Sequence, residues 1–557
     1  MNNESSIWLF LRKMRAPLIV LNLAHAIPVL LLTLVPGMDA QGNPAHLTIF
    51  DAMYIVGYTA TTIGFGEIPY AFSYPQRIIV LITIYTTVPA WFYALGSLIT
   101  LFQEKTFINA LKMNTFRRKV SRLRQDFIII CGYNNATKLL IDKLNSDNLY
   151  RIVVIDKNPE KIEQLDIELY MPTIPSIMAD ASMTSVLKSS GIQSEKCKFV
   201  VTMFDDDQLN LKVAVRAHIL NENLNIISRS SMRHGSENLL NIGVDHVIDI
   251  FEIIAKRIDF ALRSPYLFNL LYWVHGGNLH VSKSDILPTG KYIVCSKRRF
   301  GKTLQGVLDK NNIEHTYLDI NRGLDEKVLS DKDFFMQAGI EEAACIIAGT
   351  NDDAINLSII TTARGINPNI FAIVRENEVE EKSLFSHLRV DKIFILDHIA
   401  AIDGYNYIDR PLTLPFIEEL ELLSDEEIKN TLLTITKRIN KRPTLIEIHV
   451  NPKHMYGLYT LCTEHDITIG QLLNNPYKDG KDLEIVILGI KRDNGDFILL
   501  PDDSTLFQPH DHILLASSKP ALNIFTTIVN HHYELYFVIH GVEEQRFTIP
   551  WLRKFKN

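Results

Sequence analysis

Two long apolar runs stand apart from the rest of the chain. Residues 16–35 (APLIVLNLAHAIPVLLLTLV) and 78–102 (IIVLITIYTTVPAWFYALGSLITLF) contain no Asp, Glu, Lys or Arg, and about 20 such residues suffice for a helix to cross a bilayer. Both are expected to span a membrane, the second with room to tilt. Between them, in HLTIFDAMYIVGYTA from His46, the residues Ile49, Met53, Val56 and Ala60 recur at helical spacing. This predicts a helix too short to cross, followed by non-helical TTIGFGE. Irregular backbone at membrane depth survives only where it is buried in protein or lines a watery path.

Past residue 125 the pattern becomes short β-rich runs alternating with helical ones. DFIIICGYNNATKLL (126–140) reads as strand, turn and helix, and RIVVID (151–156) as a strand ending in an acid. KYIVCSKRRFGKTLQ (291–305) and HTYLDI (315–320) repeat that order. Asp206, Asp207, Asn210, Leu211, Ala217, Arg229, Val244 and Asp245 recur 146 residues later as Asp352, Asp353, Asn356, Leu357, Ala363, Arg375, Val390 and Asp391. Identities at one constant offset predict a duplicated α/β unit. The shared DD..NL follows an apolar strand in both copies, at the edge where open α/β sheets bind ligands.

Charge orients the membrane part. Arg12, Lys13 and Arg15 precede the first run; Lys105, Lys112, Arg117, Arg118, Lys119, Arg122 and Arg124 follow the second; only Arg77 lies between. The positive-inside rule therefore puts both chain ends in the cytoplasm. The first run closes in LTLVPGMD, without a small-x-small cleavage site, and is read as retained. A net charge of −7 over 557 residues gives no reason to expect nucleic acid as a partner. Five cysteines without CxxC spacing argue against a zinc site and a disulfide framework.

Glycine accepts positive φ, so Gly64 and Gly66 allow a backbone that turns successive carbonyls to one side. Four such strands would stack rings of oxygen able to replace the water shell of K⁺. TATTIGFGE resembles the potassium-channel signature, Thr-Val-Gly-Tyr-Gly followed by Asp, with Thr62, Ile63, Gly64, Phe65 and Gly66 at the matching places. The resemblance implies that the carbonyls of Thr62 to Phe65 and the Thr62 hydroxyl hold permeant K⁺. Phe65 lacks the hydroxyl that usually braces such a filter and Glu67 replaces Asp, which leaves discrimination against Na⁺ open. Gly96 resembles the gating hinge of inner helices in such channels; close helix packing at a small residue is the alternative.

In the first α/β copy Asp156 falls 24 residues after Gly132, where a dinucleotide fold places the carboxylate that grips a ribose. Asn134 and Thr137 replace the second and third glycines, so an altered or empty site stays open. In the second copy Asp319 lies 23 residues past Ser296, and Lys297, Arg298, Arg299 and Lys302 favour phosphate. The candidate nucleotide residues are Gly132, Asn134, Asn135, Asp156, Lys157, Asp180, Ser296, Arg298, Arg299 and Asp319, with NAD, ADP and ATP not separable as the regulatory ligand. Ca²⁺ is a further candidate at Asp206, Asp207, Glu378 and Glu380 if subunits bring them together; a solvated acidic face is the plainer alternative. A metal pair at His531 and His532 competes with an ordinary surface dipeptide.

CGYNNA, VVIDKNPEKI, IMADASMTSVLKSSGI and GVDHVI resemble RCK domains, the regulators of K⁺ conductance, and the related nucleotide-binding domains of bacterial K⁺ transport systems. Residues 467–518 are similar to the small carboxyl-terminal lobe of that family. The resemblance implies a prokaryotic two-transmembrane potassium channel with tandem RCK domains. It would be a homotetramer of the bacterial inner membrane with eight such domains in a ligand-binding gating ring. The expected fold class is a membrane α-helical pore, with two spans, a re-entrant pore helix and a filter, then two Rossmann-like α/β RCK domains and a small α+β lobe. The expected divisions are a pore domain at 1–103, a basic linker at 104–125, Rossmann lobes at 126–265 and 289–412, a helical dimerisation segment at 266–288, a helical connector at 413–440 and the last lobe at 441–557. YLFNLLYWVHGG in the fourth of these also reads as a core helix. Two alternatives compete: a membrane-tethered NAD-dependent oxidoreductase, for which the chain offers no separate substrate domain or proton-transfer pair, and a regulatory subunit of another K⁺ transporter, which would need neither spans nor filter. The expectation is a channel and no enzyme.

Overall fold

The computed structural model describes residues 12–39, 41–67, 69–277, 279, 287–320, 332–377, 390–439, 442–476 and 481–542. The chain divides into two compact units, with the break between Arg122 and Leu123.

In the first unit, helices Arg15–Leu34 and Tyr74–Gln103 are the two apolar spans, and only 17% of each hydrophobic window is buried. Leu23, Ile27, Leu30, Leu81, Ile82 and Phe92 are exposed, so these are not core helices of a soluble fold, whose apolar faces would be covered. The hydroxyls of Thr83 and Thr87 each donate to the carbonyl four residues earlier, at 2.7 Å, so these polar groups are satisfied inside the helix. Pro89 lies within the second span without interrupting it. Gly37–Met38 (β1) pairs antiparallel with Pro44–Ala45 (β2) after the first span. The short helix runs Ile49–Ala60 and starts later than His46, because Thr48 caps it reciprocally with Asp51. A last helix, Lys105–Ser121, follows a break at Glu104.

The second unit holds three sheets. The first contains Phe127–Cys131 (β3), Arg151–Asp156 (β4), Ser176–Met178 (β5), Cys197–Thr202 (β6), Asn225–Ser230 (β7) and His246–Asp249 (β8), in the order β5-β4-β3-β6-β7-β8. All its pairs are parallel, giving the doubly wound dinucleotide-fold order. The second holds Tyr292–Ser296 (β9), His315–Asp319 (β10), Cys345–Gly349 (β11), Phe371–Glu376 (β12) and Lys392–Ile395 (β13), ordered β10-β9-β11-β12-β13, again parallel. Central strands FIIIC and CIIAG are buried throughout, as parallel strands covered on both faces must be.

The repeated identities form one repeated network. Asp206 and Asp352 cap their helices. Asp207 accepts backbone N–H groups from Ser231 and Met232 at 2.9 Å, and Asp353 one from Asn377 at 3.0 Å. Asn210 and Asn356 each donate to the carbonyl of the repeated arginine, Arg229 at 3.0 Å and Arg375 at 2.9 Å. Asp245 and Asp391 accept from the first inner residues of the neighbouring strands, Ile226 and Ala372. These side chains satisfy buried backbone groups at strand ends.

The copies exchange helices. Helix Ile250–Arg263, which follows the first sheet, packs on Arg298–Lys310 of the second copy, and Leu396–Asp409, which follows the second sheet, packs on Asn135–Asp147 of the first. Arg299 reaches Asp249 at 2.5 Å and Asn311 reaches Asp259 at 2.6 Å. Tyr405 donates to Asp147 at 2.7 Å, and His246 bonds Asp403 at 2.6 Å. Helix Pro265–Val274, from the expected dimerisation segment, packs against helix Asp425–Arg438, and the Trp273 indole donates to the Pro443 carbonyl at 2.8 Å. That helix is part of the subunit's own core; residues 278, 280–286 lie outside the described residues.

The last sheet is antiparallel, with Thr444–His449 (β14), Ile485–Lys491 (β15), Phe497–Leu499 (β16) and His512–Ser517 (β17) in the order β14-β17-β15-β16. Ile485, Ile487, Ile513 and Leu515 face a cluster with Phe525 and Leu535, while Val486, Leu488, Leu514 and Ala516 face one with Leu270 and Phe416. Strand alternation thus splits its side chains between two cores.

Candidate functional site

The segment after the short helix has positive φ at every second residue: Thr62 at 62°, Gly64 at 65° and Gly66 at 91°. A Cβ on Gly64 or Gly66 would meet nothing within 4 Å, so glycine is required there by conformation and not by space. Thr62 is β-branched, for which positive φ is an outlier, and strain of this kind concentrates where function over-determines the backbone.

Two side chains that the sequence reading passed over hold this segment to the helix. The Tyr58 hydroxyl donates to the Gly66 carbonyl at 2.5 Å, and the Tyr58 carbonyl accepts from Ile63 N at 2.9 Å. The Phe65 ring stacks parallel on Tyr54 at 6.1 Å and meets Tyr58 edge-on at 5.8 Å. The Tyr58 hydroxyl thus ties the helix to a segment in which Phe65 offers no hydroxyl of its own. Glu67 accepts from Phe72 N at 2.9 Å and pairs with Arg77 at 2.9 Å, which ties the segment's end to the start of the second span.

The second span is helical through Gly96, where a Cβ would meet nothing within 4 Å. Close packing within the subunit does not require glycine there. The helix ends at Gln103; the next residue, Glu104, is extended and pairs with Lys13 at 2.8 Å.

In the first α/β copy the dinucleotide-type residues are occupied by the protein itself. Gly132 has φ 96° and its Cβ would press on Phe204 at 2.9 Å. Asn134 caps the following helix, accepting from Thr137 N at 3.0 Å and donating to the Met203 carbonyl at 2.7 Å. Asp156 is buried and accepts from Tyr133 N and Asn158 N, both at 2.8 Å. Its carboxylate staples the turn to the strand end. Asp180 accepts from Ser182, and this bonding, with Lys157 and Arg216 nearby, holds its carboxyl below the usual range. Lys157 and Asn135 are exposed. Asn135 also bonds Asp397 from the exchanged helix, and burial raises that carboxyl's pKa. A carboxylate of the chain thus stands beside the helix start where an anion would dock.

In the second copy the residue equivalent to Asp397 is Phe251, 146 positions earlier. Ser296 is buried and donates to the Gly349 carbonyl at 2.9 Å. Helix Arg298–Lys310 begins with no side-chain cap, and Arg298 itself has φ 57°. Arg298 and Lys302 are exposed. Arg299 bonds Asp249 and Glu252, while its second terminal nitrogen is buried without a hydrogen-bond partner. The Arg375 guanidinium lies 5.2 Å from the Phe251 ring and 5.6 Å from Phe300. Burial pushes its pKa down to about 10. Asp319 ends the neighbouring strand and is partly exposed. This cleft sets Arg298, Arg299 and Arg375 at an uncapped helix start, with Asp249 and Glu252 pairing Arg299, where the first sets Asp397 beside the helix start with Arg229 near it. The register of the repeat pairs Phe251 with Asp397, but only the exchange of helices puts each in the other copy's cleft.

The acidic candidates for Ca²⁺ are described only in part. Asp206 and Asp207 are engaged by backbone N–H donors, Glu378 and Glu380 lie outside the described residues, and no metal-ligand cluster occurs among the described residues. His531 is exposed and precedes its helix without a side-chain cap, while His532 is buried.

Residues 18–104 match the ion channel family model, and residues 128–250 and 292–396 match the TrkA-N domain model. "Potassium channel protein 1" of Methanocaldococcus jannaschii is 24% identical over 315 residues, covering 56% of this chain and 87% of that protein. "Probable potassium channel protein 2" of the same organism is 24% identical over 223 residues, 40% of this chain and 63% of that protein. A Methanothermus fervidus protein is 27% identical over 297 residues, and the match spans 45% of its length and 52% of this chain. Among solved structures, "GsuK Channel" is 16% identical with a TM-score of 0.44, covering 95% of this chain and 99% of that one, and "GsuK channel bound to NAD" is 15% identical at 0.42 with the same coverage. The family models join an ion-channel-type membrane segment to two TrkA-N domains in one chain.

Proposed function

We propose that four copies of this chain form a K⁺ channel of the bacterial inner membrane, with both termini in the cytoplasm, whose open probability is set by an adenine nucleotide. The observation that carries this reading is the alternation of positive φ at Thr62, Gly64 and Gly66, at the end of a short helix between two exposed apolar spans. Such a backbone suits rings of carbonyl oxygens that replace an ion's hydration shell. The protein conducts and does no chemistry on its ligand.

The nucleotide binds the second copy. Its uncapped helix start and its arginines suit phosphate, and Asp319 suits a ribose hydroxyl. The first copy, with Asn134 and Asp156 committed to backbone groups and Asp397 at its helix start, serves as scaffold. A nucleotide that binds two conformations of the tetramer unequally shifts their populations, and the second span passes this to the pore, with Gly96 as its hinge. Ca²⁺ has no part in this reading.

Purified protein in liposomes should pass K⁺, with a flux that changes when ADP, ATP or NAD is added to the side bearing the termini. Intact tetramers that pass no K⁺ under any of the three would overturn the channel reading. Flux indifferent to all three would overturn the ligand alone.

A further inference from the structure

A cavity of about 250 Å³ lies where the exchanged helices meet the connector, and its walls come from helices Ile250–Arg263, Pro265–Val274, Leu396–Asp409 and Thr413–Leu420. It shares Asp249 and Glu252 with the second cleft, and both carboxylates are engaged by Arg299. Dinucleotides need more room; pockets for drug-sized ligands run from roughly 300 Å³ upward.

Inside it Arg257 makes no hydrogen bond or ion pair among the described residues, and its Nε is buried without a partner. Arg257 is half-buried, and removal of its guanidinium from water pushes its pKa down to about 10. The nearest carboxylate, Asp403, attracts it through space but is itself bonded to the His246 ring at 2.6 Å. His275 lines the same cavity, with Nδ1 held by the Leu271 carbonyl at 2.7 Å. The rest of the lining mixes apolar side chains, Ile253, Phe260, Leu271 and Ile417 among them, with the charged Lys256 and Glu421.

Asp249 and Glu252 are engaged by Arg299 and Asp403 by His246, so the planar Arg257 guanidinium, beside Phe260 and Leu271, is left to match one oxyanion with a hydrocarbon body, since its fork fits a carboxylate. We propose that this cavity binds a small organic carboxylate, with its charge on Arg257 and its apolar body against Phe260 and Leu271. The walls belong to both copies and to the connector, so an occupant bears on all three. This goes beyond the nucleotide reading and stands without it, because the test reads binding and not ion flux.

Benzoate and uncharged benzamide are compared on the full-length protein in detergent at constant ionic strength, by thermal unfolding. Benzoate should raise the midpoint saturably, benzamide should not, and Arg257→Met should weaken benzoate by about tenfold or more, the worth of a charged hydrogen-bonded contact. Without ligand, Arg257→Met should unfold no earlier than the wild type, since it removes an unpaired charge. No benzoate shift in the wild type, equal shifts with benzamide, or an undiminished shift in Arg257→Met would each overturn the proposal. If Arg257→Met does not fold, the proposal fails on the unliganded prediction, and Ile417→Trp, which fills the chamber, decides independently: a benzoate shift that survives it locates binding elsewhere.

Discussion

The Tyr58 hydroxyl lies 2.5 Å from the Gly66 carbonyl oxygen, so the short helix holds the glycine segment by a side chain that reaches forward eight residues. With Phe65 in place of a tyrosine, this bond and the ring contacts to Tyr54 and Tyr58 hold the segment together with the Ile63 N–H to the Tyr58 carbonyl and the Glu67 ties to Phe72 and Arg77. Tyr58→Phe removes the bond and keeps the rings. Flux should persist while the K⁺-to-Na⁺ permeability ratio, from reversal potentials, falls several-fold.

Gly64→Ala tests the backbone directly. There is open space for the methyl group, but φ is 65°, and left-handed backbone costs an L-residue about 1–2 kcal/mol. In the proposed tetramer that cost would arise in each of four copies. K⁺ flux should be lost while thermal unfolding of the cytoplasmic domains is unchanged.

Asp156 and Arg298 should separate stability from ligand binding. Asp156→Asn weakens a carboxylate that accepts two backbone N–H groups and should cost about 1–3 kcal/mol of stability, read as a lower urea midpoint, with nucleotide affinity unchanged. Arg298→Gly relieves a residue at φ 57°, which should stabilise by about 1 kcal/mol, yet it removes a charge from the second cleft. Calorimetric titration should show weaker nucleotide binding to this more stable variant.

His275 gives a pH dependence. Burial, with the Arg257 charge beside it, pushes its pKa down to about 4 from the ordinary 6.5, against the attraction of Asp403; His398 adds a further repulsion. Between pH 6.5 and 4 the unfolded chain holds a proton on this ring that the folded chain does not, so stability falls as pH drops through that window. Above 6.5 the ring contributes nothing. His275→Gln should flatten the fall in urea midpoint between pH 7 and pH 5.

The spans, the Gly64 and Gly66 backbone and the duplication were legible because each rests on local pattern: charge-free length, glycine placement, one constant offset. The late start of the short helix turned on a cap at Thr48 that apolar spacing does not register. Asp156 was legible as an acid at a strand end, but what it bonds was not, since a ribose hydroxyl and a backbone N–H call for the same carboxylate. Tyr58, Asp397 and Phe251 were missed for a different reason. Their roles arise from contacts that only the fold creates, and for the last two from an exchange of helices between copies 146 residues apart.

That exchange sets an order on the making of the protein. Helix Asn135–Asp147 is covered by Leu396–Asp409, which the ribosome delivers some 250 residues later. The first copy therefore leaves the ribosome with an apolar face bare and cannot close until the second has been synthesised, unlike domains that fold one by one as they emerge. A chain cut between the copies would be left with two incomplete halves.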